Sequence, residues 1–273
     1  MRLRVFAGLL TLGLAAGCSS VPSPERVQAW QAAELEAATG SEVHVVAETD
    51  PREAVDRARG IDLDMARTLA LSLVAESPAE PDLLWRAARA DADRVLLARA
   101  AGEAREARDL AALSGLDYAR RAAELRAEDA AVQAQLAYAL GTTTHLLPMG
   151  ERSARATEVL ATAQRALELD PTQPTALATQ ATVHLRLATL PWIARVFGSD
   201  IPPHDLDLAE AAARRALELE PCLEHRLLLA KVLVAREQEE AALELLRGAP
   251  ASDEAPRDAQ LRPELVALRE DLE

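Results

Sequence analysis

Arg165-Ala166-Leu167-Glu168-Leu169-Asp170-Pro171 returns as Arg215-Ala216-Leu217-Glu218-Leu219-Glu220-Pro221, and the reading of this phrase decides the fold. The match extends backwards through Ala163/Ala213 to Val159/Ala209. Ala209, Ala213, Ala216 and Leu217 are spaced i, i+4, i+7, i+8, which places them on one face of a helix. Alanines on that face let a neighbouring helix approach closely. A proline cannot continue the helix, so a new one starts after it. Each copy therefore reads as the second helix of a hairpin. Hairpins repeated at this scale predict an all-α fold, an α-solenoid.

Outward from the phrase, the composition agrees. The 273 residues are 49% hydrophobic and 3% aromatic, with Ala, Leu, Glu and Arg prominent, as helices favour. Thirty basic against 44 acidic side chains leave a net charge of −14. An acidic body excludes the basic footprint that nucleic acid requires and opposes broad adhesion to anionic lipid. It also predicts a basic patch on any protein partner.

The first residues read as a targeting segment. Arg2 and Arg4 precede an apolar run from Val5 to Ala16, which is shorter than the ~20 residues of a membrane span. Leu14-Ala15-Ala16-Gly17-Cys18-Ser19 follows. This resembles the lipobox of bacterial lipoproteins, which implies that Cys18 is lipidated and that residues 1–17 are removed as a signal peptide. Removal of two arginines gives a mature charge of 28 − 44 = −16. Ser19 beside the cysteine resembles the pattern that permits export to the outer membrane, so the expected location is the cell envelope, facing the periplasm. Residues 18–25, with Pro22 and Pro24, read as a short tether, and residues 26–273 as the repeat domain.

Along that domain, helices are predicted from Arg26 to Ala38, with Val27, Trp30, Ala33, Ala37 and Ala38 on one side, from Pro51 onward, and from Asp62 to Glu76, with Met65, Leu69, Leu73 and Val74 inward. Glu42 to Ala47 reads as a brief β-like patch. Another helix opens at Leu83, with Trp85 as a core anchor. Arg105–Arg108 reads as a charged, exposed stretch. Leu116–Arg126 is a weaker copy of the repeated phrase, followed by a helix over Ala131–Gly141. Leu223–Arg236 and Gln238–Arg247 pair as a hairpin, Ser252–Pro263 reads as a loop, and Glu264–Glu273 as a terminal cap helix.

Ala163, Ala166 and Pro171, with their counterparts Ala213, Ala216 and Pro221, resemble the small-residue and proline positions of tetratricopeptide repeats. The spacing is longer, 44 residues from Arg121 to Arg165 and 50 to Arg215, against ~34 in that family. Extra residues fall at 141–150 and 190–203. The ordered set Leu83-Leu84-Trp85-Arg86-Ala87-Ala88-Arg89-Ala90, Pro191-Trp192, Ile193 to Pro203 and Leu227 to Lys231 resembles the regulator of microtubule dynamics family over about residues 50–270. That resemblance implies a helical repeat fold used for protein contacts.

No catalytic constellation is present. His44, His145, His184, His204 and His225 do not share metal-ligand spacing, and there is no phosphate-binding glycine loop. Neither metal nor cofactor is expected, and the chain does not read as an enzyme. His184 reads as a satisfied, half-buried residue. Cys222 is either a small buried group or an exposed thiol. Trp192, Arg195 and Phe197 concentrate in the second insertion. They read either as a plug between hairpins or as a lip that offers Arg195 to a partner carboxylate. The expectation is thus a lipid-anchored protein-binding scaffold whose groove is lined by 131–141, 175–189 and 223–236. The alternative is a small-molecule-binding accessory lipoprotein of a solute transporter, which would need a closed apolar pocket.

Overall fold

The structure, a computed structural model, describes residues 21–40, 50–190, 201–250 and 255–273. Cys18, the β-like patch at 42–47, and Trp192, Arg195 and Phe197 lie outside the described residues. Among the described residues the chain forms twelve α-helices and no strand. They are α1 Pro24–Thr39, α2 Pro51–Arg59, α3 Leu63–Glu76, α4 Pro81–Ala100, α5 Arg105–Leu125 and α6 Ala130–Thr143. There follow α7 Arg152–Leu169, α8 Pro174–Ala188, α9 Leu206–Leu219, α10 Leu223–Ala235, α11 Glu239–Arg247 and α12 Pro256–Leu272. Two single-turn 3₁₀ helices join α6 to α7.

The helix starts follow from short polar caps. Ser23, Asp50, Asp62, Asp129 and Asp205 each accept a bond from a backbone N–H of the first turn, satisfying donors that the helix leaves open. Prolines occupy the first position of α1, α2, α4 and α8, where the missing N–H costs nothing.

Sequential helices pack antiparallel as the hairpins α4–α5, α6–α7, α8–α9 and α10–α11. The first helices also pack on each other, α4 on α6, α6 on α8 and α8 on α10, which makes them the inner wall of a solenoid. The repeated phrase does what its spacing predicts: Val159, Ala163, Ala166, Ala209, Ala213 and Ala216 are all buried. At Gly115 of α5, an added Cβ would sit 3.2 Å from the Ala88 carbonyl oxygen and 3.3 Å from Asp91 Cβ, so α4 and α5 approach too closely for a side chain there. One core runs from α1 into α8, and a second runs from α8 to α12. Val183 and Leu187 of α8 belong to the first, and Leu177 and Ala181 to the second, so α8 welds the two halves.

Several expectations are corrected. The charged stretch 105–108 is exposed at Arg105 and Glu106 as expected, but half-buried at Ala107 and Arg108; it is the first turn of the 21-residue α5, which the pairing with α4 carries back that far. In α1, Ala33 and Ala37 face solvent; the inward side is Val27, Trp30, Glu34, Leu35 and Ala38, a face mixed in polarity that an apolar count misses. Met65 is exposed. Residues 256–263 are helical, and Pro263 lies inside α12. Pro263 is on the solvent side, while Leu261 and Leu265 are buried, so tertiary packing holds a helix that local propensity would end. The expected tether also ends early, since α1 starts at Pro24.

Candidate functional site

The inner wall of the solenoid is not an open trough along its whole length. α12 packs on α10 and α11 and also reaches back to α4, at the other end of the repeat array. Leu96 of α4 accordingly packs against the C-terminal core.

Charge directs this closure. Arg257, in the first turn of α12, donates to Asp93 Oδ1 of α4 at 2.7 Å, to Glu224 of α10 at 2.8 Å and to the Tyr138 hydroxyl of α6 at 3.3 Å. Asp93 is buried and also receives Arg59 Nε at 2.6 Å. Burial alone would raise the Asp93 carboxyl, but Arg257 and Arg59 outweigh it and hold the carboxyl below its usual value. The same acids keep the Arg257 guanidinium firmly protonated despite its burial. Seven residues further along both helices, Lys231 of α10 meets Glu264 of α12 at 2.5 Å. The two pairs have opposite polarity and equal spacing, so α12 is held parallel to α10 in one register.

The signature segment at 83–90 acts nearby. Arg86 and Arg89 lie over the Trp85 ring, with guanidinium carbons 4.3 and 4.9 Å from its centroid. Both donate to Asp56 of α2; for Arg86 the distance is 2.8 Å. Trp85 Nε1 donates to Asp82 at 3.4 Å, and Asp82 also receives Arg126 at 2.8 Å. Trp85 is therefore half-buried against the core, as an anchor, and the segment staples α2 to α4. Sequence does not single out Asp56; one of two acids on a short polar helix, it carries no signal until its two arginines arrive from 30 and 33 residues away.

Two hollows flank α12. One of about 180 Å³ is lined by Asp56, Arg59, Leu63, Arg89 and Arg257. The other, of about 460 Å³, is lined by Asp64, Arg94, Leu97, Glu103 and Gln260. Both are open and charge-lined, unlike the closed apolar pocket of a small-molecule binder. Further along the wall, Arg99 of α4 and Arg186 of α8 are exposed and have no acidic partner among the described residues. Arg186 is solvent-accessible, and partial desolvation together with nearby Arg99 lowers its pKa. The inner wall thus carries arginines, of which Arg59, Arg89 and Arg257 are paired with Asp93, Asp56 and Glu224.

The other candidates fall as follows. His184 is buried and its Nδ1 accepts the Asp205 backbone N–H at 3.2 Å, the satisfied role expected of it. His145 faces Asp109 Oδ1 at 3.2 Å. His204 is exposed, close enough to His184 to lower its pKa slightly alongside burial. Among the described residues no group of three or more His, Cys, Asp or Glu is placed to hold a metal. Cys222 is half-buried at the N-cap of α10, an intermediate between its two readings. Burial would lower the pKa of His225, but the Cys222 side chain and the Glu220 carbonyl, 2.9 Å from Nδ1, push it up to about 9.

Stacked antiparallel hairpins with an alanine-rich inner seam define a tetratricopeptide-like helical repeat protein. A solved structure of a thermophilic tetratricopeptide-repeat protein from Thermus thermophilus, TTC0263, shares this fold, with a TM-score of 0.57 over 80% of this chain and 96% of that one at 18% identity. The structure of MamA covers 78% of this chain and 92% of its own, with a TM-score of 0.41 and 11% identity. No curated protein matches the sequence. The sequence pattern of Regulator of microtubule dynamics protein 1-3 matches residues 53–273, and the chain belongs to that family.

Proposed function

We propose that the protein is a lipid-anchored envelope scaffold that binds an acidic segment of a protein partner along the inner wall of its repeats. The observation that carries this reading is the pair Arg99 and Arg186: two cations on α4 and α8, close enough to repel each other and without an acid partner among the described residues, in a chain of net charge −14. Accessible arginines on a concave wall recognise carboxylates, because the planar guanidinium bonds them in a fork. Family membership supports the repeat-scaffold part. The lipobox-like residues around Cys18 support the anchor. Trp192, Arg195 and Phe197 would extend the rim of the groove. Both hollows by α12 are open and bordered by charged side chains, which disfavours the rival transporter-associated ligand binder.

Crosslinking in intact cells followed by mass spectrometry tests the proposal. The expected result is a reproducible partner that is lost from the Arg99→Glu/Arg186→Glu variant while that variant melts like the wild type. A partner retained by this variant would remove the groove from the binding site. Recovery of the chain alone, as a fixed oligomer, would sink the scaffold reading.

A further inference from the structure

We infer that one edge of the solenoid, formed by the start of α1, the α2–α3 turn and the α6–α7 connection, docks on the bilayer that carries the Cys18 lipid. The inference rests on the lipid-anchor reading.

Because the helices alternate in direction, α2, α4 and α6 end on the edge where α1, α3, α5 and α7 begin. The contacts bear this out. Arg26 of α1 pairs with Glu106 in the first turn of α5, and Gln31 donates to Ser114 Oγ at 3.1 Å further along both helices, so α1 and α5 run parallel. Asp64 in the first turn of α3 shares a hollow with Leu97, Ala100 and Ala101 at the end of α4. His145, just after α6, reaches Asp109 near the start of α5, and Arg152 of α7 donates to the Leu147 carbonyl at 3.0 Å.

The large exposed apolar side chains concentrate on this edge. Ile61 is 71% exposed and Met149 74%, and Val21 and Met65 are exposed with them. Leu208, in the first turn of α9, continues the edge into the third hairpin. Single exposed apolar residues mean little by themselves. Here, though, the opposite described edge holds only Leu125 of this class, among turns bearing Glu80, Glu128, Asp129, Asp170 and Glu220.

Chain length brings the apolar edge to the membrane. Val21 is three positions from Cys18, a reach of about 10 Å at ~3.5 Å per residue. An edge held that close gains by moving Val21, Ile61, Met65 and Met149 from water into the interfacial layer. The charges on it do not oppose this. Three of its acids are paired, Glu106 with Arg26, Glu103 with Arg94 at 2.7 Å and Asp109 with Arg105 at 3.3 Å, which reduces their repulsion by anionic headgroups. On the opposite edge Glu80, Glu128 and Asp129 are likewise paired, with Arg126 and Arg165, so the exposed apolar side chains and the short tether select the orientation.

The test uses the full chain, acylated in cells, carrying Cys222→Ala, and reconstituted in vesicles of phosphatidylethanolamine and phosphatidylglycerol. Ile61→Cys, Met65→Cys, Met149→Cys and Leu125→Cys variants each receive a polarity-sensitive fluorophore, and quenching by nitroxide-labelled lipid is measured. The expected outcome is strong quenching at 61, 65 and 149 and several-fold less at 125. Equal quenching at all four, or none at any, in a chain whose mass shows acylation at Cys18 overturns edge docking and leaves the anchor standing. A mass without acyl chains removes the anchor and the docking together. As a control on dye bias, Ile61→Ser/Met65→Ser should reduce quenching of a probe at 149, and an unchanged signal there counts against the edge.

Discussion

Asp56 shows how much one side chain can organise. It takes both arginines that lie against Trp85, and so fixes the nine-residue α2, which is too short to persist alone. Asp56→Asn keeps the shape and removes the charge, leaving two guanidinium groups to repel each other. We expect a loss of roughly 1–3 kcal/mol in urea unfolding, with loss of protection in α2 under hydrogen exchange. His225 supplies a pH test. Its folded pKa, about 9, lies above the unfolded value near 6.5, so the folded state holds a proton that the unfolded chain releases. That contribution is whole below about pH 6.5 and is lost as pH rises through 9. The melting temperature should therefore fall across this window, and the His225→Gln variant should flatten the fall. Trp85 as an anchor and His184 as a satisfied core residue were readable from helical spacing. Asp56 and the partners of His225 were not, because ion pairing depends on which helices meet.

At the scale of the element, α12 is decisive. Its N-terminal half reads as a loop in sequence: Ser252 to Pro263 is polar and proline-broken, with few apolar residues to mark an inward face. Its helicity is secured from outside, by Leu261 and Leu265 in the C-terminal core and by Arg257 and Glu264 on α4 and α10. Truncating Arg257→Ala leaves Asp93 buried beside Arg59, and Glu224 without its cation. The cost expected for breaking such a buried pair is roughly 3–5 kcal/mol, seen as a lowered urea midpoint and faster exchange in α12. Glu264→Ala, on the more exposed pair, should cost under about 1 kcal/mol. Gly115→Val tests the opposite face of α4. It forces side-chain atoms against the Ala88 carbonyl and Asp91, and should destabilise by about 1–3 kcal/mol.

For the whole molecule, the two edges and the inner wall differ in chemistry although the net charge is a single number. The inner wall carries Arg59, Arg89, Arg99, Arg186 and Arg257; the proline turns of one edge carry acids; the other edge carries exposed aliphatic tips. An acidic peptide bound at Arg99 and Arg186 should weaken steeply with added salt, whereas vesicle contact through Ile61 and Met149 should persist. Titration by fluorescence anisotropy at rising ionic strength distinguishes the two.

The all-α repeat architecture was decided by the sequence alone, since alanine spacing, proline stops and acidic caps act within one or two turns and need no distant partner. The inner helices α6, α8 and α10 follow from the same local rules. What only the tertiary structure decided is everything that depends on curvature: that α12 returns to α4 from 164 positions away, that the wall it crosses is lined with arginine, and that exposed apolar tips gather beside the tether. Helix periodicity specifies which face of each helix turns inward, but the small rotation between successive hairpins accumulates along the chain. Only the packed side chains at each interface set that angle.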